Sequence, residues 1–297
     1  MVAWRPRRNF RRPPESPWIP PAICMSPTVR TRGFAASGAV PLREGPTPEL
    51  GYLGVFNAAS LEVVLPGLGE PSGPVTREPI APGEILILHG ICMGPESTLV
   101  GHFDSSGVLS NQLGQTQVMF DDVAAPLFFV QSGQIEVVAP YELANKSVTT
   151  MRVTNQGNST STQVNVIDGR AGIFTVDGAA AAVNADGTMN SAANPAARGE
   201  LIALYATGLG QTNPPGVDGK IVKSVATTIS TVTASIDGQS AKVVFAGDAP
   251  GFVGLSQVNV IVSQGLPPSP RPGPSAVPVS LTVGGNVSAQ VVFIFVE

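Results

Sequence analysis

One stretch of this chain occurs twice. Pro82-Gly83-Glu84-Ile85-Leu86-Ile87-Leu88-His89-Gly90 is matched by Ala197-Arg198-Gly199-Glu200-Leu201-Ile202-Ala203-Leu204-Tyr205-Ala206-Thr207-Gly208. Each places Gly-Glu directly before an apolar run that ends near a glycine. With the two Gly-Glu pairs superposed, 116 residues apart, Phe120-Asp121-Asp122 falls on Ile236-Asp237-Gly238, and Phe129 on Phe245. The second copy then gains seven residues, including Gly247-Asp248-Ala249-Pro250-Gly251, after which Gln134-Ile135-Glu136-Val137 falls on Gln257-Val258-Asn259-Val260. Near the ends, Gly157-Asn158 meets Gly285-Asn286. A constant offset broken by an insertion implies a duplicated supersecondary unit, and every fold open to the chain has to contain that unit twice.

The unit reads as β. Thr116–Phe120, Ala125–Val130, Gln134–Ala139, Val148–Thr154 and Ser161–Ile167 are short runs rich in β-branched residues, with turn residues at Asp121-Asp122, Gly133 and Gly157. Glu84–His89 is apolar on both faces, as a strand buried in a sandwich is. Charged residues make up only 13% of the chain, while Gly (33) and Pro (28) are abundant. Scarce charge, many turn residues and no long stretch of 3.6-residue periodicity predict an all-β fold of two tandem β-sandwiches with a disordered N-terminal tail. The expected boundaries are a basic, Pro-rich tail over 1–50, a first sandwich with its entry segment over 51–170, a β-connector over 171–195 and a second sandwich over 196–297.

Residues 1–50 carry eight Arg against three acids, and the remainder carries nine Lys and Arg against eighteen Asp and Glu. The mildly acidic body argues against nucleic acid as a partner. The Arg- and Pro-rich start holds too little apolar surface to offset its ordering entropy. No signal peptide is visible there: Arg7-Arg8-Asn9-Phe10 has a twin-arginine look, but no apolar region follows. No run reaches transmembrane length. The two cysteines, Cys24 and Cys92, read as unpaired thiols, without metal-type spacing. Pro267-Pro268-Ser269-Pro270-Arg271 has the look of a polyproline ligand and reads as a stiff surface loop.

The Gly-Glu start, the turn at Ile236-Asp237-Gly238, the Gln257-Val-Asn-Val strand and the late Gly-Asn resemble IPT/TIG-type immunoglobulin-like domains. A longer pattern is more specific. Gly172-Ile-Phe-Thr, Ala182-Val-Asn-Ala-Asp-Gly-Thr-Met-Asn-Ser, Leu204-Tyr-Ala-Thr-Gly-Leu-Gly and Phe245-Ala-Gly-Asp-Ala-Pro-Gly resemble the uncharacterised Solibacter-type C-terminal domain family over about residues 170–297. That resemblance implies a β-sandwich in an extracytoplasmic setting, secreted or at the cell surface of a bacterium. It implies no reaction.

Residues that could carry chemistry are few. His89 closes the first duplicated strand and reads as structural. His102 and Asp104 would share a strand face as a candidate pair, but lack a third ligand nearby. Nucleophile-elbow, dinucleotide and P-loop fingerprints are absent. Asn184, Asp186 and Asn190 place oxygen ligands within one short turn, a partial calcium loop without the leading Asp and closing Glu. The same residues serve a plain turn, because Asp and Asn accept main-chain hydrogen bonds and Gly187 supplies positive φ. Both Trp residues, Trp4 and Trp18, lie in the tail, which disfavours a stacked sugar platform in the body. The chain is therefore expected to be non-catalytic and cofactor-free. The role expected is an extracytoplasmic structural, adhesion or interaction module, with proteins or cell-surface polysaccharides as partners. The alternatives are a carbohydrate-binding accessory module and the non-catalytic C-terminal part of a larger secreted enzyme. Function beyond spacing is expected where the copies differ, at 91–115, 211–228 and 247–278.

Overall fold

A computed structural model describes residues 47–61, 63–65, 78–267, 273–288 and 290–297. The expected tail lies outside these residues but for its last four, and so do the 66–77 part of the entry loop and residues 268–272 of the proline-rich loop. The chain is all-β. Among the described residues there is no α-helix, only a single 3-10 turn at Tyr141–Leu143.

The strands up to residue 165 are β1 (Glu49–Asn57), β2 (Val63–Leu65), β3 (Ile85–Ile91), β4 (Leu99–Val100), β5 (Thr116–Phe120), β6 (Val123–Ala124), β7 (Leu127–Gln131), β8 (Gln134–Val138), β9 (Val148–Asn155) and β10 (Asn158–Asn165). They form two antiparallel sheets, ordered β2-β1-β3-β8-β7-β4 and β10-β9-β5-β6. Alternation drives the packing: in β5, Thr116, Val118 and Phe120 are buried while Gln117 and Met119 are half-buried. The two inner faces enclose Leu86, Leu88, Val118, Phe120, Leu127, Ile135, Val137, Met151 and Val153.

The later strands are β11 (Gly172–Ile173), β12 (Thr175–Val176), β13 (Ala179–Ala180), β14 (Ala182–Asn184), β15 (Leu201–Thr207), β16 (Thr212–Asn213), β17 (Thr227–Thr228), β18 (Val232–Ile236), β19 (Gln239–Asp248), β20 (Ser256–Ile261), β21 (Ser275–Val283), β22 (Asn286–Val287) and β23 (Val292–Val296). Their main path runs β11-β15-β20-β19-β18-β21-β22, with β23 on β21. A separate core of Ile173, Ile202, Leu204, Ile236, Val258, Val260, Leu281 and Ile294 fills this half. The stretch expected as a connector is hydrogen-bonded into this half, since β11 and β14 both pair with β15.

Backbone geometry repeats with the sequence. Gly83 and Gly199 have φ of +72° and +82°, Asp121 and Asp237 have +52° and +51°, and the Gln156-Gly157 and Gly284-Gly285 turns are positive throughout. Cys92, at the position matching Gly208, also has positive φ. It is not the unpaired thiol expected from the sequence: Cys92 is disulfide-bonded. The chain's only other cysteine, Cys24, lies outside the described residues. Reading Cys92 as a free thiol rested on sequence spacing alone, which carries no information about its bonding.

Candidate functional site

The duplicated Gly-Glu start lies at the seam between the two sandwiches, in the first copy only. Gly83 faces the ring of Tyr141, where an added Cβ would come within 2.8 Å of the ring carbons. Gly216, from the second sandwich, abuts the same ring. The phenol therefore lies between two glycines, one from each half, and a side chain at either would displace it. The Tyr141 hydroxyl donates to the carboxylate of Asp248, at 3.1 and 3.2 Å from its two oxygens. The Tyr141 main-chain N–H donates to Asp218 Oδ1 at 2.8 Å. Gln211 Nε2 donates to the Tyr141 carbonyl, while Gln211 Oε1 accepts the N–H groups of Thr212 and Gly216.

Beside the tyrosine, Glu84 is buried and accepts hydrogen bonds from Asn57 Nδ2 at 2.7 Å and the Ala81 N–H at 2.6 Å. The next N–H, of Ile85, donates to Thr207 Oγ1 at 2.9 Å, and that hydroxyl donates onward to the Gly254 carbonyl at 2.9 Å. One threonine thus ties the start of β3 to the end of β15 and to a loop of the second copy. Ile85, Val138 and Val253 form a small buried cluster across the seam, flanked by Phe128, Phe174 and Ile221. Further out, the loops pair main chain to main chain: the Leu109 N–H donates to the Gly219 carbonyl at 2.8 Å and the Ile221 N–H to the Gly107 carbonyl at 2.9 Å.

Burial sets the electrostatics of this seam. It pushes the Asp248 carboxyl up to about 6, against the opposing pull of the Tyr141 and Thr212 hydroxyls. It pushes Asp218 up to about 7, with the neighbouring Glu142 carboxyl adding to the rise and the Tyr141 N–H opposing it. Tyr141 itself is held firmly neutral by burial and by Asp248. Perturbed carboxyls in a cleft are the usual mark of an active site. Here the acceptor oxygens of Asp248 and Glu84 already face donors of the protein, which is the chemistry of a clamp. Among the described residues, no group of three His, Cys, Asp or Glu side chains could hold a metal ion.

The sequence candidates lie elsewhere and apart. Asp186 Oδ1 accepts the Thr188 N–H and hydroxyl at 2.9 and 2.7 Å. Asn184 and Asn190 are bonded to each other, and Asn190 is further tied to the main chain of Phe295. These three residues thus serve their turn and the neighbouring strand. His102 is exposed, and Asp104 accepts the N–H groups of Ser106 and Val108 within its own turn. Parts of the loops in which the copies differ meet at the seam, Gly107 and Leu109 of the first against Ile221 and Gly219 of the second.

A second surface leaves no mark in the sequence of any single strand. Register across β1, β3, β8 and β7 sets Phe56 opposite Ile87, Ile87 opposite Glu136, and Glu136 opposite Phe129. All four are half-buried on the outward side of the six-stranded sheet. His89 stands edge-on to Phe56, with ring centroids 5.7 Å apart at 87°. Burial raises the Glu136 carboxyl to about 7 and lowers the His89 imidazole. Both groups are biased toward their neutral forms, so this face suits neutral, hydroxyl-bearing or apolar material better than ions. Apolar residues on both sides of a strand read as core, which is why the face is invisible one strand at a time.

No family model matches the chain, and no curated protein matches it.

Proposed function

We propose that this protein is a non-catalytic, extracytoplasmic structural, adhesion or interaction module, working as one stiff pair of sandwiches. The observation that carries this reading is the seam. Its buried acids, its tyrosine and the loops where the copies differ are engaged with one another, which holds the two halves in a fixed relation. A linker of comparable length without such contacts would leave the halves free to reorient. The resemblance to exported β-sandwich domains supports an extracytoplasmic setting. So does the disulfide at Cys92, since disulfides persist in oxidising compartments. The test is a screen of the full chain against glycans, cell-wall polymers and surface proteins, alongside generic hydrolase substrates. Protein or polymer binding without turnover supports the module. Turnover abolished by Asp248→Asn or Glu136→Gln would overturn it.

The carbohydrate-binding alternative is favoured by the outward face around Glu136. Phe56 and Phe129 offer apolar rings and Glu136 a hydrogen-bonding group between them. If that reading holds, Phe129→Ala weakens glycan binding at least tenfold and Tyr141→Phe leaves it unchanged.

A further inference from the structure

The free edges of the sheets are not treated alike. An unpaired strand edge invites another chain, and proteins ordinarily shorten or block such edges. Here β2, β4, β6, β11 and β22 are two or three residues long. On β23, the amide of Asn190 covers both the N–H and the carbonyl of Phe295. On β11, the amide of Gln290 does the same for Ile173. Among the described residues the exception is β10, eight residues long and paired as a strand on one side only, with β9.

Which groups of β10 face outward follows from its ends. Ile80 lies alongside the far end: its N–H donates to the Asn165 carbonyl, and its carbonyl accepts the Ile167 N–H. The Val166 N–H turns the other way, to Ser147 beside β9. Odd-numbered residues therefore direct their main-chain groups away from β9 and even-numbered residues toward it. Ser159, Ser161 and Gln163 are the odd positions beyond the reach of Ile80. Their outward main-chain groups have no partner among the described residues, and their side chains are exposed. The strand Asn158–Asn165 has no charge and no proline, the two usual deterrents.

We propose that this edge binds a second copy of the same chain, β10 against β10, antiparallel about a twofold axis through Ser161. That register places Ser161 opposite Ser161 and Ser159 opposite Gln163 in each direction, polar pairs that are good cross-strand neighbours. All three are hydrogen-bonded pairs, giving about six new main-chain bonds. The charge balance suits self-pairing. Arg152 lies across from Ser161 on β9. Its counterpart in the second copy would be three strand spacings away, roughly 14 Å. That exceeds the Debye length of about 8 Å at physiological salt. A foreign peptide would gain the same ladder, but selective strand addition draws on pockets for alternate side chains, and this edge presents only small polar ones. One strand pair buries less than the roughly 1,200 Å² of a standard stable interface. The dimer is accordingly weak and concentration-dependent, suited to chains crowded at a surface.

The test uses the full chain in sedimentation velocity over a concentration series reaching about 1 mM, with engineered cysteines to read the register. The wild type should shift from monomer to dimer. Ser161→Pro, which removes an outward N–H from each copy, should raise the dimer dissociation constant by about tenfold or more. Glu200→Gln, exposed in the second half, should leave it unchanged. Under oxidising conditions Ser161→Cys should give a covalent dimer, because hydrogen-bonded pairs hold their Cα atoms about 5.5 Å apart, within disulfide reach. Ser159→Cys alone should not, whereas Ser159→Cys mixed with Gln163→Cys should. A wild type that stays monomeric throughout overturns the proposal. So does a dimer indifferent to Ser161→Pro, or cross-linking of Ser159→Cys to itself.

Discussion

The phenolic hydroxyl of Tyr141, in the first sandwich, donates to the carboxylate of Asp248, in the second, at 3.1 Å. Both groups are buried. Removing the hydroxyl by Tyr141→Phe keeps the ring between Gly83 and Gly216 but takes one hydrogen-bond donor from a buried carboxylate. The expected loss is about 1–3 kcal/mol in urea unfolding. A loss below about 0.3 kcal/mol would mean that water replaces the hydroxyl there without cost.

The seam carries its own pH dependence. Asp248 and Asp218 have folded pKa values of about 6 and about 7, above the ordinary carboxyl value of 3.8. The folded state therefore binds more protons than the unfolded chain between these limits, and stability falls as pH rises. Their stabilising contribution is full below about pH 4 and is lost as pH passes through 6 to 7. Glu136 adds a slope of the same sign. Asp104, Asp121 and Asp186, whose pKa values are lowered, act oppositely at acid pH, and the lowered His89 imidazole acts oppositely as pH falls through 6.5. Melting temperature should therefore be higher at pH 5.5 than at pH 8. The Asp218→Asn, Asp248→Asn double variant should flatten that difference, leaving the opposed parts due to Glu136 and His89. An unchanged slope in the double variant would remove the seam as its source.

The two glutamates of the repeat should behave differently. Glu84 is buried on Asn57 and Ala81, whereas Glu200 is exposed. Glu84→Gln exchanges one acceptor oxygen for a donor facing other donors, and an expected cost of about 1–3 kcal/mol follows. Glu200→Gln should fall within about 0.5 kcal/mol of wild type. Chemical denaturation of both variants side by side makes the comparison, and equal effects would refute it.

Glycine substitutions offer a steric check. Gly216→Ala drives a methyl into the Tyr141 ring and should loosen the seam by about 1–3 kcal/mol, as overpacking does. It should also hasten proteolytic cleavage between the halves. Gly178, at φ +84° with nothing near a built Cβ, provides the control. Gly178→Ala should show only the modest cost of positive φ, with no change in cleavage.

Much of the fold was legible from residue order. Thr116–Phe120 spans the whole of β5, because its alternation is clean and Asp121 supplies the turn. The start of β10 was not: Asn158-Ser159-Thr160 reads as loop, since its strand character comes from pairing with β9 and not from apolar side chains. β1 begins at Glu49, inside the expected tail, for the same reason: Glu49 and Leu50 are held by Ile91 and Gly90. The candidate site was harder. The Gly-Glu motif is the same in both copies, yet one glutamate is buried and the other exposed, and only the neighbouring half decides which. That the differing loops would matter could be inferred from the repeat. That Gly219 would meet Leu109 and Asp248 would meet Tyr141 could not, because such contacts leave no periodic trace in either partner.

The hook from Ile85 to Thr207 joins the head of one copy to the tail of the next, a polar arrangement that in principle repeats indefinitely. At the second copy's own head the same motif is used differently. Arg198, just ahead of Glu200, is bonded to the carbonyls of Leu266, Pro267 and Glu297. One motif therefore has two uses in this chain: a joint between neighbouring copies at the first head, and a tie within its own half at the second.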